Sequence, residues 1–170
     1  MNRSPLPPNP RFHMIARDEL QRRLVDSARN VFSVLADIVL EEGEQHADAG
    51  EHDTWVTALI GLDGAYSGMV ALHCTESLAR RAALGLMRVA KTLDEQDMLD
   101  AMGEVVNIIA GDVKLYLDHS GTRVRLSLPS VFVGGRPFQR AFLDWTDTMA
   151  CILAAGDEQL LVGVQVSRCG

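Results

Sequence analysis

Residues 54–74 read TWVTALIGLDGAYSGMVALHC, and this stretch decides the fold class. Thr54–Leu62 and Tyr66–Cys74 are apolar, β-rich runs, and Asp63-Gly64 stands between them. Asp-Gly suits a tight reversal because both residues tolerate the positive φ that a two-residue hairpin turn requires. Strands joined so tightly pair antiparallel, since a parallel pair needs a crossover of a dozen residues or more.

Outward from this hairpin the pattern alternates between two periods. Downstream, Val124–Val133, Phe138–Leu143, Thr148–Ala155 and Gln159–Ser167 read as short strands, divided by Gly134-Gly135, Asp144 and Gly156-Asp157. Between the hairpin and these strands, Glu76–Ala90 reads as a helix with Thr75 or Ser77 as its cap, and Asp94–Asp118 as a longer one. Upstream, Leu20, Leu24, Ala28, Val31, Leu35 and Val39 recur at spacings of four and three. That is one buried stripe on a helix from Arg17 to Glu42, closed by Gly43 and followed by a polar loop, Glu44–Asp53. The expected order is α-β-β-α-α-β-β-β-β: an α+β domain with a mainly antiparallel sheet and long helices on one face.

A single domain over residues 12–170 is expected, preceded by a flexible Pro-rich tail at 1–11 that holds four of the six prolines. That tail lacks the apolar run of a signal peptide, and no segment approaches the ~20 apolar residues that would cross a bilayer. Three cysteines without a C-x-x-C spacing suit a reducing cytoplasm, where we expect the protein to work. The net charge of -7 argues against nucleic acid. Arg22-Arg23 and Arg80-Arg81, the dense basic clusters, read as solvated helix faces.

Chemistry concentrates on the Asp94–Asp118 helix. On a wheel, Met98, Leu99, Met102, Val105, Val106, Ile109, Ala110, Val113, Tyr116 and Leu117 share one arc. The opposite side carries Asp97, Asp100, Gly103, Glu104, Asn107, Gly111, Lys114 and Asp118, with Asp100, Glu104, Asn107 and Gly111 in line. Glu104 and Asn107 stand roughly 4.5 Å apart along the axis, so both can address one partner. A Glu and an Asn three apart are on most helices merely solvated. Here, however, Asn107 is flanked by Gly103 and Gly111, and each glycine costs about 1 kcal/mol against Ala. Small residues on that face make sense if another protein must come close.

The run Asp100-Ala-Met-Gly-Glu104-Val-Val-Asn107-Ile-Ile-Ala-Gly111 resembles the signature of the CheC, CheX and FliY phosphatases, and CheX above all. Lys114, Gly68 and the segment Ser127-Leu-Pro-Ser-Val followed by Gly134 add to the likeness. The resemblance implies a phosphatase that removes the aspartyl phosphate of a CheY-like response regulator in chemotaxis or related two-component signalling. In such enzymes the motif Glu, here Glu104, pairs with the regulator's active-site Lys. The motif Asn, here Asn107, orients the attacking water, with Asp100, Gly103, Gly111 and Lys114 on the partner-facing side. No cofactor is expected on this chain; Mg2+ belongs to the regulator. CheC-like relatives carry a second motif, but in the first helix Asn30 is preceded three residues earlier by Ser27 instead of Glu. One complete site per chain follows, and the CheX likeness also implies a homodimer.

An amide fits that role chemically. An aspartyl phosphate is already reactive, so the catalyst mainly has to place a water in line. An amide carbonyl accepts from that water while its NH2 donates. Competing sites are weaker. His13, His46, His52, His73 and His119 are scattered, and the acidic and histidine residues of Glu44–Asp53 lack metal-ligand spacing, so no metal site is expected. His73 is expected to be partly exposed beside a packed Cys74, and Met87, Met98 and Met102 to fill the core. No G-x-S-x-G turn or Gly-rich phosphate loop occurs. The alternatives are a non-catalytic regulator-binding adaptor and an unrelated small-molecule enzyme.

Overall fold

The computed structural model describes residues 16–44, 54–88, 92–118, 123–134 and 148–169. The tail at 1–11, the strand expected over Phe138–Leu143 and most of the Glu44–Asp53 loop lie outside these. Among the described residues, three helices stand on a seven-stranded antiparallel sheet. The helices are α1 (Arg17–Ala36), α2 (Glu76–Met87) and α3 (Glu95–Asp118). The strands are β1 (Glu41–Glu42), β2 (Trp55–Gly64), β3 (Tyr66–Thr75), β4 (Val124–Leu126), β5 (Ser130–Gly134), β6 (Thr148–Ala155) and β7 (Glu158–Arg168). Their order is β1-β6-β7-β3-β2-β4, with β5 also pairing β2. The expected α+β architecture is what the chain adopts.

The hairpin forms the middle of the sheet. Trp55 pairs with Thr75 at its open end and Leu62 with Gly68 at its closed end. Gly68 has φ +155, and a Cβ there would lie 1.9 Å from the Gln165 carbonyl oxygen of β7. Only glycine lets β3 and β7 approach at that point. Alternate residues of β2, namely Val56, Ala58, Ile60 and Leu62, point into one core with the helices. Its other face carries a small second cluster, in which Ala71 and Leu161 are packed by Leu59, Met69, Ala150 and Ile152.

The first helix is shorter than its periodicity suggests. It ends at Ala36, where Asp37 takes the left-handed conformation (φ 55) and its N–H bonds to Ser33 O. The chain then turns, so Ile38 and Leu40 are buried while Val39 is 70% exposed. Alternating burial is strand behaviour, and Glu41–Glu42 pairs with β6. The second helix stops at Met87, before the expected Ala90, with Arg88 also left-handed (φ 48). The expected strand Val124–Val133 is two strands, split by Ser127-Leu128-Pro129. Proline has no N–H to give a ladder, and the interruption lets β4 and β5 pair with different parts of β2.

Candidate functional site

The α3 helix begins with a reciprocal cap. The Asp97 N–H donates to the Asp94 carboxylate at 2.8 Å, and the Asp94 N–H donates back to Asp97 at 3.3 Å. Both carboxylates lie where the helix dipole favours negative charge. From there Met98, Met102, Val105, Val106, Ile109, Ala110, Val113 and Leu117 go down into the core, as the wheel requires. The helix packs on α1, α2 and strands β2 to β5. Its last turn is tied down by Asp118, which accepts from the Val124 N–H at 2.9 Å and pairs with Lys114.

Asp100, Glu104 and Asn107 are all exposed on the outward face. Asp100 accepts a hydrogen bond from the Gln96 amide at 2.7 Å. Among the described residues no hydrogen bond or ion pair holds Glu104 or Asn107, so both side chains are uncommitted. The remaining partner-facing candidates divide. Gly111 is partly exposed, and a Cβ there would meet nothing within 4 Å. Gly103, expected on the open side, is buried, and a Cβ would lie 3.5 Å from Pro129 Cγ and 3.6 Å from Val131 Cγ2. Its smallness therefore seats the segment between β4 and β5, a neighbour that helical periodicity alone could not reveal. Lys114 is partly buried and engaged with Asp118.

Ser127-Leu-Pro-Ser-Val acquires a structural meaning here. Ser127 donates its N–H to Gly61 O at 3.0 Å and accepts the Gly61 N–H on its hydroxyl at 2.9 Å. This clamp to β2 places Pro129 and Val131 against Gly103 and leaves Leu128 88% exposed near the motif helix.

The incomplete motif on α1 is accounted for as well. Ser27 is buried and donates its hydroxyl to Asp112, so it joins α1 to α3 and does not face outward. Arg22 and Arg23 both pair with Glu19, Arg80 with Glu76 and Arg81 with Glu158, so each basic cluster is engaged by carboxylates of this chain. Among the described residues no helix is long and apolar enough to cross a membrane, and no group of three His, Cys, Asp or Glu could hold a metal ion.

His73 corrects an expectation. It is 1% exposed, stacked on Trp55 with ring centroids 4.6 Å apart, and its Nδ1 lies 2.8 Å from Thr57 Oγ1. Burial disfavours the imidazolium and lowers its pKa to about 4. Cys74 is fully buried, and desolvation, with a smaller contribution from Glu158, raises its thiol to about 12. Met98 and Met102 fill the core as expected, whereas Met87 is 39% exposed.

The family model of the chemotaxis phosphatase CheX matches residues 56–138, a span that contains all of α3. Over that span the chain resembles CheX. No curated protein sequence matches it. Among solved structures, the chemotaxis protein CheX from Vibrio vulnificus is 20% identical with a TM-score of 0.69, over 91% of this chain and 100% of that one. CheX from Desulfovibrio desulfuricans is 21% identical with a TM-score of 0.68, over 88% and 99%. The CheX-CheY-BeF3-Mg2+ complex from Borrelia burgdorferi is 17% identical with a TM-score of 0.64, over 86% and 97%. At these identities the structures establish a shared CheX/CheC-like fold.

Proposed function

We propose that this CheX-like protein hydrolyses the aspartyl phosphate of a CheY-like receiver domain. One observation carries the reading: Glu104 and Asn107 stand side by side, exposed and uncommitted, on a helix packed against both the sheet and the other helices. The family match over residues 56–138 supports it, as does a fold shared with a CheX protein solved together with CheY.

Glu104 is the anchor, pairing with the lysine of the receiver's phosphorylation site in a charge-assisted contact. Asn107 enters that site and fixes a water in line with the departing carboxylate. Its carbonyl accepts from the water and its NH2 donates to a neighbouring oxygen. An amide is no base at neutral pH, so its contribution is orientation, held by a rigid helix. The receiver's own Mg2+ neutralises charge on the phosphoryl oxygens, and no metal ligand is required of this chain.

The test is phosphate release from a receiver domain phosphorylated with a small-molecule donor. Wild type should accelerate release, and Asn107→Ala should abolish the acceleration while keeping its melting temperature and receiver affinity. An Asn107→Ala variant with near-wild-type turnover removes Asn107 from the mechanism. Tight binding by wild type without turnover makes the protein an adaptor.

A further inference from the structure

A cleft of about 650 Å³ opens directly beside Glu104, between the end of α2, the first half of α3 and the start of β5. Met87, Leu99, Pro129 and Val131 give its lining apolar surface. Asp97, Asp100 and Glu104 line it too, and among the described residues no basic one does. Met87 stays 39% exposed here although Met98 and Met102 are fully buried. Gly103 also lines the cleft. A cleft lined by both apolar side chains and carboxylates suits one type of side chain: a long aliphatic stem with a cationic head. A flexible thioether in the wall lets the cleft close on either a lysine or an arginine.

We propose that this cleft is a second anchor point for the receiver domain, taking a basic side chain distinct from the lysine that Glu104 pairs. The occupant's stem lies on Met87, Leu99 and Pro129, and its head reaches Asp100 and Asp97. The cleft then selects among receivers, because the phosphorylation-site lysine is common to them all on this mechanism, whereas a basic residue at the right distance from it need not be. This inference rests on the receiver-phosphatase reading.

The experiment uses the full chain and a receiver domain that wild type dephosphorylates, loaded with beryllofluoride for binding and phosphorylated for turnover. Met87→Arg supplies the cleft with its own cation. It should raise KM for the receiver at least tenfold while kcat at saturation stays within twofold, with an unchanged melting temperature. Asp100→Arg should raise KM in the same way. Zero-length carbodiimide coupling of wild type to the receiver, for receivers whose basic residue is lysine, should join Asp97 or Asp100 to a lysine other than the one joined to Glu104. If both variants keep wild-type KM while Asn107→Ala is inactive, the cleft proposal is wrong and the phosphatase reading stands. An increase in KM for Met87→Arg but not Asp100→Arg means an apolar occupant and also overturns it. If Asn107→Ala turns over normally, the phosphatase reading fails and the inference goes with it.

Discussion

Gly103 and Gly111 lie on either side of Asn107 with similar sequence surroundings, yet the structure predicts opposite outcomes when each is replaced by leucine. Both have helical backbones, so each substitution removes the roughly 1 kcal/mol cost of glycine in a helix interior. At Gly111 nothing lies within 4 Å of the new Cβ, so that gain is retained in full. Gly111→Leu should raise the melting temperature by about 2–4 °C. At Gly103 the Cβ itself fits, at 3.5 Å from Pro129, and Gly103→Ala should be neutral or slightly stabilising. The remaining carbons of leucine must displace Pro129 and Val131, an overpacking cost of about 1–3 kcal/mol that outweighs the helix gain. Gly103→Leu should therefore melt up to about 8 °C lower. Activity should not follow stability. Gly111→Leu places a bulky side chain one turn beyond Asn107 on the docking face, and kcat/KM for the phosphorylated receiver should fall at least tenfold in the more stable protein. Thermal melts beside steady-state phosphate release on the same preparations measure both. A Gly111→Leu variant with wild-type kcat/KM would show that the receiver does not cover this end of the helix. A destabilised one would show that the site is not open.

Glu104→Lys should weaken receiver binding by more than tenfold, because it sets a cation against the receiver's lysine, while Glu104→Gln should cost less; isothermal titration with the beryllofluoride form decides, and wild-type affinity for Glu104→Lys would remove the anchor. Buried His73 titrates near 4 in the fold against 6.5 in the unfolded chain, so the unfolded state binds the extra proton between those values. Stability should therefore fall as pH drops through that window, by about 3 kcal/mol in all, and a pH series of denaturant melts that gave the same slope for wild type and His73→Gln would contradict this. Cys74, raised to about 12 and fully buried, should resist alkylation at pH 8 while the exposed Cys169 reacts, as mass spectrometry before and after denaturation would show. We also expect a homodimer, which light scattering at the mass of a monomer across a wide concentration range would reject.

The sequence was most legible where a single period ran undisturbed. The hairpin declared itself through two apolar runs around Asp63-Gly64, although these two residues form no tight turn but extend β2 and pair with β4, and α3 through an apolar arc that the core buries almost residue for residue. It was least legible where a local conformation overruled the period. Val39 continues the stripe of α1 in sequence, but Asp37 turns left-handed, a conformation that aspartate tolerates without advertising it. Pro129 was a visible interruption, yet its role under Gly103 depends on a contact between segments 26 residues apart. Met87 has the composition of a core residue, and only the geometry of α2 leaves it at the edge of a cleft. His73 was misjudged because burial on the outer face of the sheet comes from Trp55 stacked on it, a cross-strand neighbour diagonal to it in the hairpin.

α3 touches both other helices and strands β2 to β5, so its central turns are held by the sheet and the other helices together. Its amide hydrogens should belong to the last class to exchange with solvent, opening only when the whole molecule opens. Such a helix is poorly suited to being a switch. Order-to-disorder control, in which a segment is ordered or released to change activity, is closed to it, because releasing the helix would release the fold. Control of Glu104 and Asn107 must come from outside, by something that covers their exposed face or competes for it. The moving parts of the reaction then all belong to the partner.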